Sequence, residues 1–140
     1  MIIRDFMSGP FVYVEMDDKL VVVKDIFDHT HFHLLPVVEN DILKGVVSDR
    51  DLANALSPHL GTFSETEKDL RTLKRPVHQI MTRNPIFLRD NAPVSLAIET
   101  FNTHTISNIP IVDQYDRPVW VLSWRDVFKQ FQNVDIDLVL

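Results

Sequence analysis

The sequence predicts an α/β (α+β) fold in which two pseudo-symmetric β-α-β-β-α units pack through their sheets. The first observation is an internal repeat, because residues 3–56 and 77–131 carry the same landmarks in the same order. The second is periodicity: in each unit, short β-branched or aromatic runs flank a stretch whose apolar residues share one helical face. Two copies of one unit usually pack about a pseudo-twofold axis, which creates a cleft lined by equivalent residues.

The two copies correspond residue by residue. Both close on the pattern Ser-x-Arg-Asp, at 48–51 and at 123–126. Further equivalent pairs are Met7 and Met81, Phe27 and Phe101, Pro36 and Pro110, and Val38 and Val112. The second copy gains one residue in a turn, at Tyr115.

The landmarks divide the chain into four parts. Residues 1–57 form the first repeat, 58–75 a connector, 76–132 the second repeat and 133–140 a tail. In the connector, Ser-Glu-Thr-Glu at 64–67 predicts a capping box that opens a short polar helix, which ends before Pro76. The tail alternates apolar and polar residues, which fits either an extra strand or a loose end.

Each element of the first repeat has a local cause. Asp17 and Asp18 are expected to cap a helix whose apolar stripe includes Leu20, Val23 and Phe27. Around it lie predicted strands at 11–14, 35–38 and 43–47, with a turn at 39–41 and a second helix from 48.

The second repeat follows the same order. Pro93 is expected in the first turn of a helix whose stripe includes Val94, Ala97 and Phe101. Strands are predicted at 86–88, 109–112 and 119–122, with a turn at 113–116 and a second helix from 123.

Composition narrows the class of protein. An apolar share of 45% and a charged share of 24% are ordinary for one soluble domain. The net charge of −6 argues against a general nucleic-acid binder, and no apolar run is long enough to cross a bilayer. The chain has no cysteine, and its first residues lack a signal-peptide pattern. We therefore expect a cytoplasmic protein that contacts neither nucleic acid nor membrane.

The Ser-x-Arg-Asp pattern has two interpretations. As structure, the serine caps a helix and the aspartate complements the helix dipole. As function, the aspartate accepts hydrogen bonds from a ribose diol, while the arginine pairs with a phosphate. The helix start explains the serine and the acid, but it does not explain why both copies keep the arginine.

The chain resembles a tandem pair of cystathionine-β-synthase (CBS) domains, a Bateman module. The first copy carries Leu-Pro-Val-Val at 35–38 and Gly-Val-Val-Ser-Asp-Arg-Asp-Leu at 45–52. The second carries Ile-Pro-Ile-Val-Asp at 109–113 and Ser-Trp-Arg-Asp-Val at 123–127. A short chain with a polar helix between the copies is also similar to bacterial acetoin-utilisation-type CBS proteins.

The resemblance implies two ligand sites in the cleft. The aspartate of the closing pattern holds ribose, the serine contacts ribose or phosphate, and residues before the Leu-Pro-Val-Val strand and after the methionine lie near phosphate or base. For the first site the implied residues are Phe11, Val12, Thr30, His33, Ser48, Arg50 and Asp51. For the second they are Pro85, Ile86, His104, Ser107, Ser123, Arg125 and Asp126.

The second copy departs from the family pattern. Trp120 replaces Gly45, and Trp124 stands where a small or polar residue is usual. These rings either fill the second site or stack on a base, and filling is favoured. The first site is therefore expected to be the better one.

Other chemistry is less well supported. His29, His31 and His33 alternate, but solvated histidines at a helix end are favoured over zinc ligands. No catalytic constellation or phosphate-cradling glycine loop is present, so no enzyme is predicted.

The function implied is regulatory binding of an adenine nucleotide or another adenosyl ligand. AMP or ADP is favoured over ATP, an S-adenosyl ligand remains open, and no cofactor is required. The alternative is a structural module that binds no ligand, dimerises and scaffolds a partner protein. A homodimer is expected in either case.

Overall fold

Residues 1–134 are described by a computed structural model, and most of the predicted tail at 133–140 lies outside them. The first repeat contains β1 (Val14–Glu15), α1 (Leu20–His29), β2 (Leu34–Glu39), β3 (Ile42–Ser48) and α2 (Asp49–Ala55). The connector contains α3 (Glu67–Arg71). The second repeat contains β4 (Thr82–Arg83), β5 (Leu88–Arg89), α4 (Val94–Thr103), β6 (Asn108–Val112), β7 (Pro118–Ser123) and α5 (Trp124–Lys129).

The strands form two small sheets, in the orders β1-β2-β3-β4 and β5-β6-β7. In each sheet the first strand is parallel to the second, and the second is antiparallel to the third. The sheets meet where β2 contacts β7, and the backbone N–H of Leu43 donates to the oxygen of Asp116 at 3.0 Å. The predicted α/β fold of two repeats packed through their sheets is confirmed.

Strand boundaries differ from those predicted. The predicted strands 11–14 and 86–88 are two-residue strands that begin later, at Val14 and Leu88. The reason is register, because only two residues of each pair with the next strand. The strand β4 was not predicted, and it joins the sheet of the first repeat by pairing with Gly45 and Val46.

The repeats exchange their opening segments. Ile3 and Phe6, in a 3-10 turn (Ile3–Phe6), lie in the core of the second repeat. Val77 begins a further 3-10 turn (Val77–Gln79), and with Met81 it lies in the core of the first repeat. Each hydrophobic core is thus completed by residues that open the other repeat.

Three helix starts differ from the prediction. The N-cap of α1 is Lys19 and not Asp17 or Asp18, and the Lys19 side chain accepts no hydrogen bond from the helix. The side chain of Asp18 instead accepts a hydrogen bond from the N–H of Glu15 at 2.8 Å. Pro93 is the N-cap of α4, one residue before its first turn. The capping box of α3 is built from Thr66 and Asp69, so the box predicted at 64–67 was placed two residues too early.

Candidate functional site

Both Ser-x-Arg-Asp patterns form the same helix start. Ser48 Oγ accepts from the N–H of Asp51 at 3.0 Å, and Asp51 Oδ2 accepts from the N–H of Ser48 at 2.9 Å. Ser123 and Asp126 repeat the arrangement at 3.1 and 2.9 Å. The structural interpretation of the pattern is therefore confirmed in both copies.

The capping role leaves part of each aspartate unused. Asp51 and Asp126 are half-buried, and their Oδ2 atoms are occupied by the serine N–H. Within residues 1–134, neither Oδ1 atom takes part in a hydrogen bond. A carboxylate oxygen fixed in direction and free of partners can accept a hydrogen bond from a ligand hydroxyl.

The topology gathers the predicted residues of the first site at one end of its sheet. Because β2 and β3 are antiparallel, Leu34 faces Ser48, and the oxygen of His33 accepts from the N–H of Asp49 at 3.0 Å. Because β1 is parallel to β2, the residues before β1, Phe11 and Val12, approach the end where β2 begins. Val12 also packs against the first core.

The second site is assembled by the same rules. Asn108 faces Ser123 across β6 and β7, and the oxygen of Ser107 accepts from the N–H of Trp124 at 3.2 Å. Pro85 and Ile86 precede β5, which is parallel to β6. His104 ends α4, and its backbone N–H donates to an oxygen within that helix.

Some predicted side chains already have partners. The Thr30 hydroxyl donates to the oxygen of Ile26 at 2.7 Å and accepts from the N–H of Phe32 at 3.3 Å, which makes it part of a helix end. Nδ1 of His33 contacts Asp49 Oδ2 at 2.9 Å, and it must donate because the carboxylate only accepts.

The arginines of the pattern are differently placed. The side chains of Arg50 and Arg125 are exposed, and within the described residues they form no ion pair. They are the candidate groups for pairing with a phosphate.

The two sites differ at Gly45 and Trp120. A Cβ on Gly45 would lie 2.7 Å from the oxygen of Thr82, so glycine is required for β4 to approach β3. In the second repeat Trp120 packs against the core, with its Nε1 buried and unpaired among residues 1–134. Trp124 is 45% exposed and makes an edge contact with Phe128, 5.4 Å between ring centroids. Trp120 thus belongs to the core of the second repeat, whereas Trp124 keeps an exposed ring, and filling of the second site stays a prediction.

Thr82 is a candidate that the sequence did not suggest. It is exposed, and it pairs with Val46, two residues before Ser48, although it belongs to the second repeat. The available signal was Gly45 itself, because an isolated glycine within a strand often marks a close backbone approach.

Two surface cavities within residues 1–134 have linings that differ from most of the predicted site. One, of about 340 Å³, is lined by the β6–β7 turn and by Arg4 and Arg89. The other, of about 430 Å³, lies between β3 and the segment 84–87 and includes Pro85, the one predicted residue that lines either cavity.

Residues 1–134 contain neither a metal-binding cluster nor a membrane-spanning helix. No group of three or more histidine or acidic side chains there could hold a metal ion. His29 instead contacts the oxygen of Asp25 through Nδ1 at 2.8 Å. None of the helices in this range combines the length and apolar character needed to cross a bilayer.

Comparison with known proteins places this geometry in a family. CBS domains match residues 3–58 and 77–133. A CBS domain-containing protein of Dictyostelium discoideum is 30% identical over 129 residues, covering 91% of this chain and 88% of that protein. The L-aspartate semialdehyde sulfurtransferase of Methanocaldococcus jannaschii is 26% identical, but the match spans only 23% of its length.

Solved structures share the fold. The CBS domain pair of protein MJ0100, in complex with 5′-methylthioadenosine and S-adenosyl-L-methionine, has a TM-score of 0.73 and 24% identity, covering 94% of this chain and 99% of that one. CBSX2 in complex with AMP has a TM-score of 0.75 and 24% identity, with coverage of 92% and 95%. The chain belongs to the CBS domain family and is a tandem CBS pair.

Proposed function

We propose that this CBS pair is a regulatory module that binds an adenine nucleotide or another adenosyl ligand in the cleft between its repeats. The observation that carries the proposal is the state of Asp51 and Asp126. Each is half-buried, held by its own helix start through Oδ2, and leaves Oδ1 without a partner among residues 1–134. The complexes of the similar MJ0100 pair and of CBSX2 contain adenosyl compounds, which supports the ligand class.

The roles follow from position. Asp51 and Asp126 accept from the ribose hydroxyls, since a vicinal diol offers two donors to a carboxylate. Arg50 and Arg125 are the exposed cations beside them. The remaining predicted residues, at the same end of each sheet, contact sugar, phosphate or base: Phe11, Val12, Thr30, His33, Ser48, Pro85, Ile86, His104, Ser107 and Ser123. Thr82 is added to the first site on the strength of its pairing beside Val46.

The second candidate function is a scaffold that dimerises without binding ligand. This function is favoured by exposed apolar residues on the first α-helix of each repeat, α1 and α4. Val21 and Val22 on α1 are 46% and 42% exposed, and Leu96 and Ile98 on α4 are each 38% exposed. A homodimer through these helices, and an unidentified protein partner, are compatible with both functions.

We place the protein in the cytoplasm and assign it no catalytic activity. The absence of cysteine suits a reducing compartment. The carboxylates at the two helix starts are engaged in capping, which is a binding and structural arrangement rather than one of acid and base aimed at a reacting atom.

Thermal unfolding with a panel of adenosyl compounds tests the proposal. AMP, ADP, ATP, 5′-methylthioadenosine and S-adenosylmethionine are compared with guanosine and cytidine monophosphates. A ligand that binds only the folded state stabilises it by about 2.7 kcal/mol at a concentration one hundred times its Kd. Stabilisation by at least one adenosyl compound supports a sensor. A flat response to all of them favours the scaffold.

A further inference from the structure

We propose that Asp49 makes the Asp51 site select adenosyl ligands with a neutral or cationic 5′ substituent over nucleotides with a 5′ phosphate. This rests on the proposed function, because it names the ligand class of that same site. It also reverses the preference for AMP or ADP that the sequence alone suggested there.

The Asp49 carboxylate is fixed at the start of α2. Its Oδ1 accepts from the backbone N–H of Arg50 at 2.8 Å, and its Oδ2 accepts from His33 at 2.9 Å. Two hydrogen bonds in different directions hold the charge beside the turn that presents Asp51. The carboxylate therefore cannot turn away from an incoming phosphate without losing both bonds.

The backbone donors that a phosphate would use are already taken. The N–H of Asp49 donates to the oxygen of His33, and that of Arg50 donates to the Asp49 side chain. The N–H of Asp51 donates to Ser48 Oγ. Phosphates bind where backbone N–H groups converge without partners, and the first three N–H groups of α2 do not meet that condition.

The charges around this turn also disfavour a phosphate. The helix starts with carboxylate, guanidinium and carboxylate in sequence at 49–51. On α1, which packs against α2, the side chains of Lys24 and His29 already contact Asp28 and Asp25. A phosphate dianion near the turn therefore meets more negative than positive charge. A sulfonium would be attracted, and a thioether would be unaffected.

The second repeat serves as an internal comparison. Trp124 occupies the position equivalent to Asp49, so its turn has one carboxylate rather than two. Among residues 1–134 no acceptor contacts the N–H of Arg125, which is the counterpart of the Arg50 N–H. The N–H groups of Trp124 and Asp126 are occupied as in the first repeat, so what is specific to the first site is the Asp49 carboxylate and its bond to the Arg50 N–H.

The test measures 5′-methylthioadenosine and AMP by calorimetry in the Asp126→Ala background, where only the Asp51 site keeps its ribose acceptor. We expect the thioether nucleoside to bind at least about fivefold more tightly than AMP, from repulsion between partly solvated charges. Asp49→Asn should bring the two affinities closer together, because it should raise the affinity for AMP and leave that for the thioether nucleoside unchanged. Raising the ionic strength should reduce the difference between the two affinities in the Asp126→Ala parent, and should have less effect when Asp49→Asn is added.

Asp41→Asn is the matched control. It makes the same change in net charge at the far end of the β2–β3 hairpin, at a φ of 65° that asparagine also tolerates. Its ratio of affinities should equal that of the parent. Asp49→Ser is a second variant that removes the charge and keeps an oxygen at the helix start, in case Asp49→Asn does not fold.

The outcomes separate this inference from the proposed function. AMP binding as tightly as the thioether nucleoside in the parent, or an unchanged ratio in both Asp49 variants, would overturn the selectivity and leave the adenosyl site intact. If those variants lose affinity for both ligands equally, Asp49 has only a structural role. That outcome would also overturn the proposed selectivity. A wild-type chain that binds none of the five adenosyl compounds in the thermal unfolding panel would reject the proposed function itself.

Discussion

Gly45 and Thr82 lie on neighbouring antiparallel strands so close together that no side chain fits between them. A Cβ on Gly45 would lie 2.7 Å from the Thr82 oxygen and 2.8 Å from the sulfur of Met81. This approach lets a strand of the second repeat extend the sheet of the first. The equivalent residue Trp120 carries a ring, and no strand from the segment after Met7 pairs with β7 among the described residues.

Gly45→Ala should destabilise the protein by about 1–3 kcal/mol, which is usual for overpacking, because β4 must move away from β3. Urea unfolding measures the loss. Lys44→Ala, an exposed neighbour on the same strand, should change stability by no more than about 0.5 kcal/mol. A Gly45→Ala protein as stable as the wild type would mean that β4 is not fixed at this distance.

Asp51→Ala should abolish ribose-dependent binding at the first site, because a buried diol loses its acceptor. Asp126→Ala is a matched variant, since it removes an identical capping box and should cost a similar amount of stability, about 1 kcal/mol. Calorimetry on both variants therefore separates binding from folding. Loss of affinity in Asp126→Ala with none in Asp51→Ala would make the second site the principal one.

Asp69 should make the stability of the connector depend on pH. Its Oδ1 accepts from the Ser57 hydroxyl at 2.6 Å and its Oδ2 from the N–H of Thr66 at 2.8 Å, and these bonds lower the pKa of Asp69 below 3.8. A lowered carboxyl pKa stabilises the folded state above the unfolded pKa, and this contribution is lost as pH falls through the folded pKa.

The measurement is urea unfolding of wild type and Asp69→Asn at pH 6 and at pH 3. At pH 6 the wild type should be more stable than Asp69→Asn. This difference in the free energy of unfolding should be smaller at pH 3. Glu67→Gln, on the same helix but without a side-chain hydrogen bond among residues 1–134, should show no such convergence. A difference that is the same at both pH values would contradict the role of the Asp69 charge.

The chain should sediment with about twice its mass of 16.3 kDa at micromolar concentration. A stable dimer requires an interface of roughly 1,200 Å² or more in total. Val22→Glu and Leu96→Glu place a charge on the exposed faces of α1 and α4 and should give monomers. Phe63→Glu, in the exposed connector, should leave the dimer intact. A wild-type monomer, or dimers of both helix variants, would reject this interface.

The repeat and its helices could be predicted because their causes are local. The stripe of Leu20 and Val23 and the serines at 48 and 123 act within a few residues of themselves, and the structure has helices at all three places. The closing pattern could also be assigned as a helix start for the same reason.

The exchange of opening segments could not be predicted, because nothing local distinguishes Val77 packing on its own repeat from Val77 packing on the other. The same holds for β4 and for Thr82, whose partner is more than thirty residues away in the sequence. The pairing of His33 with Asp49 likewise depends on the register of β2 and β3. Each of these features is set by long-range packing.

The crossed opening segments also determine the order in which the protein can fold during synthesis. A nascent chain that has released only the first repeat still lacks Val77 and Met81, so its core cannot close. Ile3 and Phe6 emerge more than a hundred residues before Leu122 and Val127, which belong to the same core. Ile3 and Phe6 therefore stay unburied until the second repeat is complete, and a ribosome that stalls between the repeats leaves them and the unfinished first core with exposed apolar surface.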